Sequence, residues 1–458
     1  MKQVGYKFPT TIRQTALSSV EEEWYVPTLA AKLGRELAPL KRSNFGEYAM
    51  AVNYLTTVLE EARAVEKVAV YNIDHMAQIQ FTGKDASALL DRVLPANVES
   101  MKIGQCKYSL LLNEDGGVQD DLIIMRVAVD NFILVINAGH DITDTVDGKE
   151  YISDADRILA YLKDGEEVEV KDLSEELVKI DVQGPYSYKL IKELYGAEVL
   201  KNPNKPAKNM GFFSFNQFEF EGSSYMLSRT GYTNRWGWEL YVPVAVAVEQ
   251  FKRIVTKALD FGGLLVGLGG RDENRLSAGN LGLPLMGQEY DPEHTPTNAP
   301  LFNAAFDLES EFVGKEAIIG DIAMANDKRM VLFITEGIVS HRGIYLDGKR
   351  LGSVTSSINS PNVSQEKREF LNSARKSVNG EEGIAEIGLG WVYVNPYQVD
   401  EDGNDITVID EKPIRIKIEL CKEDAEGNPK GKPVLGYIVS DGITPATASR
   451  PLKNIDKL

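Results

Sequence analysis

Apolar residues recur along this chain with two different spacings. A spacing of three or four residues, which is typical of a helix with one buried face, runs through residues 85–94, 186–194 and 244–259. Elsewhere the chain alternates apolar and polar residues or forms short apolar runs, and both patterns favour strands. These strands are predicted at 67–76, 77–81, 178–182, 212–220, 224–228 and 239–242. Because the order of the elements lacks a strict βα rhythm, we predict an α+β fold.

The two ends of the chain differ in pattern from the middle. Ser18 and Ser19 precede three glutamates, as at a helix start, and a second helix is predicted over 49–64. We therefore predict a helical N-terminal extension at 1–60 and a central domain at 61–327. From 328 to 458 strands dominate, with clear examples at 330–334, 343–346, 350–356 and 414–420. This third region is interrupted by a charged, helix-like insert at 362–384.

An acidic pair stands at a distinctive position in the central domain. Residues 107–137 are predicted to form a two-stranded hairpin, with Gly116 and Gly117 in its tip. The return strand begins with Asp120 and Asp121 and is otherwise almost wholly apolar. A carboxylate at the edge of a buried strand must be hydrogen-bonded, paired or used in chemistry. From the local residues alone, an acidic hairpin end in water explains the pair equally well.

Composition narrows the class of protein. The chain has 458 residues, a formal net charge of −18 and no basic cluster, which argues against nucleic-acid binding. Two cysteines and four scattered histidines do not form a metal-ligand motif, so no metal site is predicted. The start lacks the apolar core of a signal peptide, and no apolar run is long enough to span a bilayer. We expect a cytoplasmic protein that does not bind membranes.

Several segments, in fixed order, resemble the aminomethyltransferase family, to which the T-protein of glycine cleavage belongs. The hairpin tip and acidic pair match the family's Asn-x-x-Gly-Gly-x-x-Asp-Asp-Leu, and Val182-Gln-Gly-Pro185 matches a second family motif. The remaining matches are Asp74-His-Met76, Arg229-Thr-Gly-Tyr-Thr233 with Trp238-Glu-Leu240, Gly267-Leu-Gly-Gly-Arg-Asp-Glu-Asn-Arg-Leu-Ser-Ala-Gly279, Gly287-Gln-Glu289 and Phe312-Val-Gly-Lys-Glu-Ala317. A weaker likeness extends through Ser353–Pro361.

The resemblance implies a fold and a chemistry. The fold is a cloverleaf of subdomains around a central hole, followed by a C-terminal β-barrel-like domain. The chemistry is one-carbon transfer between a donor and N5 of tetrahydrofolate. By position, Asp120 matches the essential aspartate beside the pterin ring, and Glu239 the carboxylate that binds its amino-pyrimidine edge. Arg275 matches an arginine near the ring; Met76, Tyr108, Asn137 and Tyr232 match other positions of the folate pocket.

The departures from the T-protein pattern bear on the donor. The family's Gly-Tyr-Thr-Gly-Glu becomes Gly231-Tyr-Thr-Asn-Arg235, with Trp236 next to it, and Leu-Glu-Ala-Gly carries Ser277 in place of the glutamate. Further changes are Asn72, Asp74, Trp238 and Met286. These changes resemble branches that demethylate small methyl donors onto tetrahydrofolate. We therefore expect a methyltransferase or demethylase acting on a small O-, S- or N-methyl compound, with His75, Arg235 and Trp236 as candidate donor-binding residues.

The sequence leaves two alternative functions open. The first is a true aminomethyltransferase, which forms methylene-tetrahydrofolate from an aminomethyl group on a lipoyl carrier protein. The second is a non-catalytic folate-binding module, whose relatives carry a cysteine motif where this chain has Leu283-Pro-Leu-Met-Gly-Gln-Glu289. A dinucleotide-binding motif is not predicted at Gly267–Gly270, because Gly-x-Gly-Gly lacks the strand–turn–helix spacing and the later acidic residue of such a motif.

Overall fold

The computed structural model describes residues 12–55, 57–146, 149–324, 327–335, 337, 339–374, 385–401, 404–410 and 412–443. Within them one antiparallel sheet and one mixed sheet carry the helices of the central region, and a closed barrel follows. The α+β fold class with a C-terminal barrel is confirmed. The predicted domain bounds stay predictions; the first barrel strand begins at Arg329. Within these ranges no helix combines the length and the apolar character needed to cross a membrane.

The N-terminal segment is part helix and part hairpin. A helical stretch is formed by Ser18–Val20, the π-helical Glu21–Tyr25 and Val26–Leu33. The prediction of one helix over 49–64 is wrong, because Tyr48–Asn53 pairs as an antiparallel strand with Lys41–Phe45. Helix appears only at Val58–Ala62 and as a 3-10 turn at Arg63–Glu66. Tyr25 and Leu29 are fully buried in the same core as the six-stranded sheet, so this segment is an integral part of the fold.

The first central sheet is antiparallel and has five strands. Its strands, in spatial order, are Glu169–Asp172, Ala77–Thr82, Asn131–Ile136, Val118–Ala128 and Cys106–Leu112. The expected two-stranded hairpin is therefore wrong in its strand count, because a second turn at 129–130 adds a third strand. Side chains alternate across Val118–Ala128, as in any strand, and this alternation decides which acid of the pair reaches the site.

The second central sheet has six strands, with one parallel pair at its edge. In spatial order they are Phe215–Phe220, Ser223–Ser228, Gly237–Pro243, Leu177–Gln183, Ala69–Asn72 and Leu264–Leu265. Helices Ser187–Tyr195 and Val244–Asp260 bury their apolar faces against it, which fills the largest core. The opposite face packs on the first sheet: Met226 and Tyr241 share a buried cluster with Met125 and Val135. The two sheets thus face each other around the site.

The C-terminal strands close into an antiparallel barrel of six. In spatial order they are Arg329–Thr335, Ala385–Val392, Lys349–Ser360, Gly343–Leu346, Arg415–Glu423 and Pro429–Val439. Helix Gln365–Ala374 confirms helical structure in the predicted insert, whose residues 375–384 lie outside the described residues. The remaining helices are Ala86–Val93, Asp154–Leu159, Glu198–Leu200 (3-10), Leu268–Leu276, Phe302–Ala305 and Lys315–Ala323. The remaining short strands are Asp144–Val146, Lys149–Tyr151, Lys201–Asn202, Lys205–Asn209, Val408–Ile409 and Lys412–Pro413.

Candidate active site

A cavity opens between the two central sheets. It contains about 980 Å³ of empty space, its open mouth included. Most of the predicted folate-pocket residues line it, namely Met76, Tyr108, Asn137, Tyr232 and Glu239. Polar residues that the sequence comparison did not select also line it, namely Asp121, Lys179, Thr230, Asn234 and Arg271. The cavity walls are therefore largely apolar, and two carboxylates and two basic side chains line them as well.

The two adjacent aspartates lie in different surroundings. Asp121 lines the cavity, where its Oδ2 accepts a hydrogen bond from the Tyr108 hydroxyl at 3.2 Å and its Oδ1 accepts one from Asn137 Nδ2 at 2.8 Å. Asp120 is fully buried behind it and does not line the cavity. Asp120, which was expected beside the pterin ring, thus does not reach the cavity, whereas Asp121 does, because successive strand residues point to opposite faces. Burial raises the pKa of both carboxyls.

Behind the cavity floor Asp120 belongs to a buried polar cluster. His140 Nδ1 lies 3.2 Å from Asp154 Oδ1 and 3.7 Å from Asp120 Oδ2. Burial lowers the pKa of His140, but the charges of Asp120 and Asp154 outweigh it and raise the pKa to about 9. The three side chains offer ligand atoms within 4.8 Å of one another, as a cation site would. A proton on His140 provides the same charge balance, so the cluster is explained by its own residues.

A buried lysine pairs with the predicted pterin carboxylate. Lys179 Nζ lies 3.2 Å from Glu239 Oε2, and the same oxygen accepts a 2.5 Å hydrogen bond from the Thr230 hydroxyl. The two side chains are 1% and 9% exposed. Among the described residues no hydrogen bond reaches Glu239 Oε1, so one oxygen of this carboxylate is anchored and the other is available to a ligand.

Lys179 was missed by the sequence analysis, although the sequence carries a signal for it. The strand Leu177–Gln183 places Lys179, Asp181 and Gln183 on one face of an otherwise apolar run. Polar residues at period two in a buried strand indicate a polar site on that face. Gln183 donates to Asp181 Oδ1 at 2.7 Å, and burial, with the charge of Glu239, raises the pKa of Asp181 to about 8.

A second cavity of about 1150 Å³ adjoins the first. The two share Tyr232, Arg271 and Leu285 in their linings. The guanidinium of Arg271 lies 5.0 Å from the centre of the Tyr232 ring, whose hydroxyl donates to the Pro284 carbonyl. A ligand in the first cavity and one in the second could therefore meet at Tyr232 and Arg271.

Arg275 was expected near the pterin ring, and the structure places it elsewhere. It is 1% exposed and is held by Glu289 Oε2 at 2.9 Å, by Asp272 Oδ1 at 2.7 Å and by Ser356 Oγ at 2.9 Å. It lines only the second cavity. Since Ser356 belongs to the barrel strand Lys349–Ser360, Arg275 joins the central region to the barrel. Arg271, on the same helix, lines the first cavity, and Arg275 does not.

The three candidate donor-binding residues line neither cavity. His75 is 2% exposed, packs edge-to-face on Phe45, and burial lowers its pKa well below the usual value. Arg235 is buried; it donates to the Thr233 carbonyl at 2.8 Å, and its guanidinium lies 3.5 Å from Ser277 Oγ. Trp236 packs under the guanidinium of Arg229 at 3.6 Å. Their expected contact with the donor is therefore not supported by their positions.

Comparison with known proteins agrees with this fold. The sequence profile described as "GCVT N-terminal domain" matches residues 40–305. An aminomethyltransferase of Desulfitobacterium hafniense is 30% identical over 335 residues, 72% of this chain and 85% of the relative. One of Thermoanaerobacter pseudethanolicus is 28% identical over 328 residues, 70% of this chain and 82% of the relative.

A solved structure extends the likeness to the whole fold. The crystal structure of glycine cleavage system aminomethyltransferase T from Bartonella henselae superposes with a TM-score of 0.66 at 23% identity, over 95% of this chain and all of that one. The molecule has the T-protein fold, which consists of two facing sheets with a cavity between them and a closed C-terminal barrel. The chain belongs to the aminomethyltransferase family, a family of folate-dependent one-carbon transferases.

Proposed function

We propose that this chain transfers a one-carbon unit between a donor and tetrahydrofolate bound in the cavity between the two sheets. The observation that carries the proposal is Glu239, a buried carboxylate with one anchored oxygen and one open oxygen in a largely apolar cavity. A pterin edge presents neighbouring N–H groups, and a buried carboxylate binds such groups through strong charge-assisted hydrogen bonds. Tyr108, Tyr232 and Met76 supply the apolar and aromatic surface that a flat ring needs.

When bound, tetrahydrofolate supplies N5 as the nitrogen that accepts the one-carbon unit. The residues of this chain position the reactants, which can lower a barrier by several kcal/mol. Asp121 is fixed by Tyr108 and Asn137, so its carboxylate is held at the cavity wall in one orientation. We assign to Asp121 the role of orienting N5 and holding its proton. Arg271 and Tyr232, at the junction with the second cavity, are assigned to the donor side.

The donor we propose first is an aminomethyl group presented on a lipoyl carrier protein. The curated relatives are named aminomethyltransferases, and the adjoining second cavity offers the donor its own entrance. Most departures from the T-protein pattern lie outside the first cavity, including Arg235, which approaches Ser277 instead. They therefore do not require a different donor.

A second candidate donor is a small O-, S- or N-methyl compound. Among the substituted positions Asn234 lines the first cavity, and this observation favours an altered donor contact. The non-catalytic folate-binding alternative has less support, because Asp121 is present and faces the cavity.

The test is mass spectrometry of folates after incubation of the purified protein with tetrahydrofolate and each donor. Methylene-tetrahydrofolate formed with the aminomethyl-lipoyl carrier, and not with methylated small molecules, supports the first donor. 5-Methyl-tetrahydrofolate formed with a methoxy-aromatic, a methylsulfonio compound or a methylated amine supports the second. Tight folate binding without product from any donor would contradict a transferase and support the non-catalytic alternative.

A further inference from the structure

The polar end of the first cavity contains Lys179 beside Glu239, and the proposed contact between Glu239 and the pterin does not use this lysine. Lys179 is 1% exposed, and besides Glu239 its Nζ has only weak neighbours. These are Met76 Sδ at 3.8 Å and the face of the Tyr241 ring at 5.4 Å. A lysine ammonium has three N–H donors, and the described residues supply one strong acceptor for them. The remaining donor capacity is at the cavity wall, which Lys179 lines.

The pairing with Glu239 does not by itself explain why a lysine is buried at this position. Removing two charges from water costs about as much as their mutual attraction returns, so a buried ion pair adds little stability over an apolar pair. A third partner that hydrogen-bonds to both side chains changes this balance, because it satisfies the groups that the protein leaves open. Since Lys179 and Glu239 both line the cavity, a ligand can be that partner.

We propose that Lys179 is a further pterin-binding residue, which donates a hydrogen bond to O4 while Glu239 accepts from N3–H and the 2-amino group. The proposal rests on the proposed function. On the pterin edge the acceptor O4 stands directly beside the donors N3–H and 2-NH₂. Lys179 Nζ and Glu239 Oε2, 3.2 Å apart, offer a donor beside an acceptor in the complementary order. Thr230 keeps the carboxylate in this orientation through its 2.5 Å hydrogen bond.

This arrangement makes the site selective for 4-oxo pterins. In a 4-amino analogue the acceptor O4 is replaced by N–H donors, which would face the ammonium of Lys179, and N3 lacks the hydrogen that Glu239 accepts. A buried donor that loses its acceptor discriminates strongly, because the protein group is then left unpaired. Lys179 therefore determines specificity at the ring edge that carries O4, whereas the reacting nitrogen N5 lies elsewhere on the ring.

The experiment measures equilibrium binding of tetrahydrofolate and of its 4-amino-4-deoxy analogue to the wild-type protein and to Lys179→Met and Lys179→Gln. Methionine keeps the length of the side chain and removes its donors. We expect Lys179→Met to weaken tetrahydrofolate binding about ten- to a hundredfold and to weaken the analogue far less. Glutamine can donate to O4 or accept from a 4-amino group, so Lys179→Gln should bring the two affinities closer together, while the part of the difference that arises from N3 at Glu239 remains.

Lys171→Met is the matched control, because Lys171 also pairs with a glutamate, Glu176 at 2.6 Å, but is exposed. It should bind both ligands as the wild type does, and thermal melts verify that each variant is folded. An unchanged ratio of the two affinities in Lys179→Met and Lys179→Gln would overturn the proposal while leaving the proposed function intact. Failure of the wild-type protein to bind tetrahydrofolate would instead overturn the proposed function.

Discussion

Asp120 and Asp121 are joined through a single amide, since Asn137 Nδ2 lies 2.7 Å from Asp120 Oδ1 and 2.8 Å from Asp121 Oδ1. One carboxylate faces the cavity and the other faces the buried cluster with His140. The amide therefore couples the orientation of the carboxylate at the site to a polar network in the interior. Replacing one aspartate should therefore lower turnover, and replacing the other should lower stability.

Asp121→Asn should lower turnover about 10²- to 10⁴-fold, because it removes the carboxylate proposed to hold the proton at N5. Asp120→Asn should instead lower the free energy of unfolding by about 3–5 kcal/mol, because it breaks a buried charge pair with His140. Steady-state rates and urea denaturation of the two variants check both statements. A variant pair in which Asp120→Asn is inactive yet stable, and Asp121→Asn is fully active, would return the catalytic role to Asp120.

Glu239→Ala should weaken tetrahydrofolate binding about ten- to a hundredfold and donor binding far less, because it removes the charged acceptor for the pterin edge. Isothermal titration with each ligand separately measures the two effects. Glu219→Ala, an exposed glutamate on the strand Phe215–Phe220, is the control and should bind as the wild type does. Unchanged folate affinity in Glu239→Ala would show that the pterin edge binds elsewhere.

The charge of His140 predicts a pH-dependent stability. Its pKa is about 9 in the folded protein and about 6.5 in an unfolded chain, so folding favours the protonated form. This contribution of about 3 kcal/mol is fully present below pH ~6.5 and is lost as the pH rises through about 9. The charged groups that act on this imidazole are Asp120, Asp121, Asp154, Asp141, Glu47 and Arg157.

Urea denaturation of the wild-type protein and of His140→Asn between pH 6 and pH 10 tests this prediction. The difference in the free energy of unfolding between the two should shrink as the pH rises, because other titrating groups are common to both proteins. Parallel curves over the whole range would mean that His140 is neutral in the folded protein.

The two arginines of helix Leu268–Leu276 should separate stability from ligand binding. Arg275→Met leaves the buried carboxylate of Glu289 without its cationic partner, so the free energy of unfolding should fall by about 3–5 kcal/mol. Arg271→Met should change stability little and weaken donor turnover at least tenfold, because Arg271 lies at the junction of the two cavities. Thermal melts and steady-state rates on the two variants distinguish these outcomes. Equal loss of stability in both would contradict the separate roles.

Much of the fold could be predicted from local patterns. The strands Leu177–Gln183 and Arg415–Glu423 and the helix Val244–Asp260 carry strong periodicity, and the structure confirms them. The helix expected over 49–64 is wrong in its first part, because residues 48–53 pair with a neighbouring strand. Tertiary contacts here override the local preference for a helix. The third strand of the first sheet was missed because the turn at 129–130 lacks a strong glycine signal.

The site was predictable in its composition and less so in its geometry. Motif matching found Glu239, Tyr108 and Asn137, which line the cavity. It selected Asp120, whereas Asp121 lines the cavity, because a shift of one residue along a strand turns the side chain to the other face. Lys179 could not be found by matching family motifs, although its period-two alternation with Asp181 was visible in the sequence.

A crystal structure of the protein with tetrahydrofolate would show directly whether the pterin binds between the two sheets. We predict a pterin ring between the two sheets, with its amino-pyrimidine edge at Glu239 and Lys179 and with N5 beside Asp121. A pterin bound in the second cavity, or one whose edge is turned away from Glu239, would contradict it.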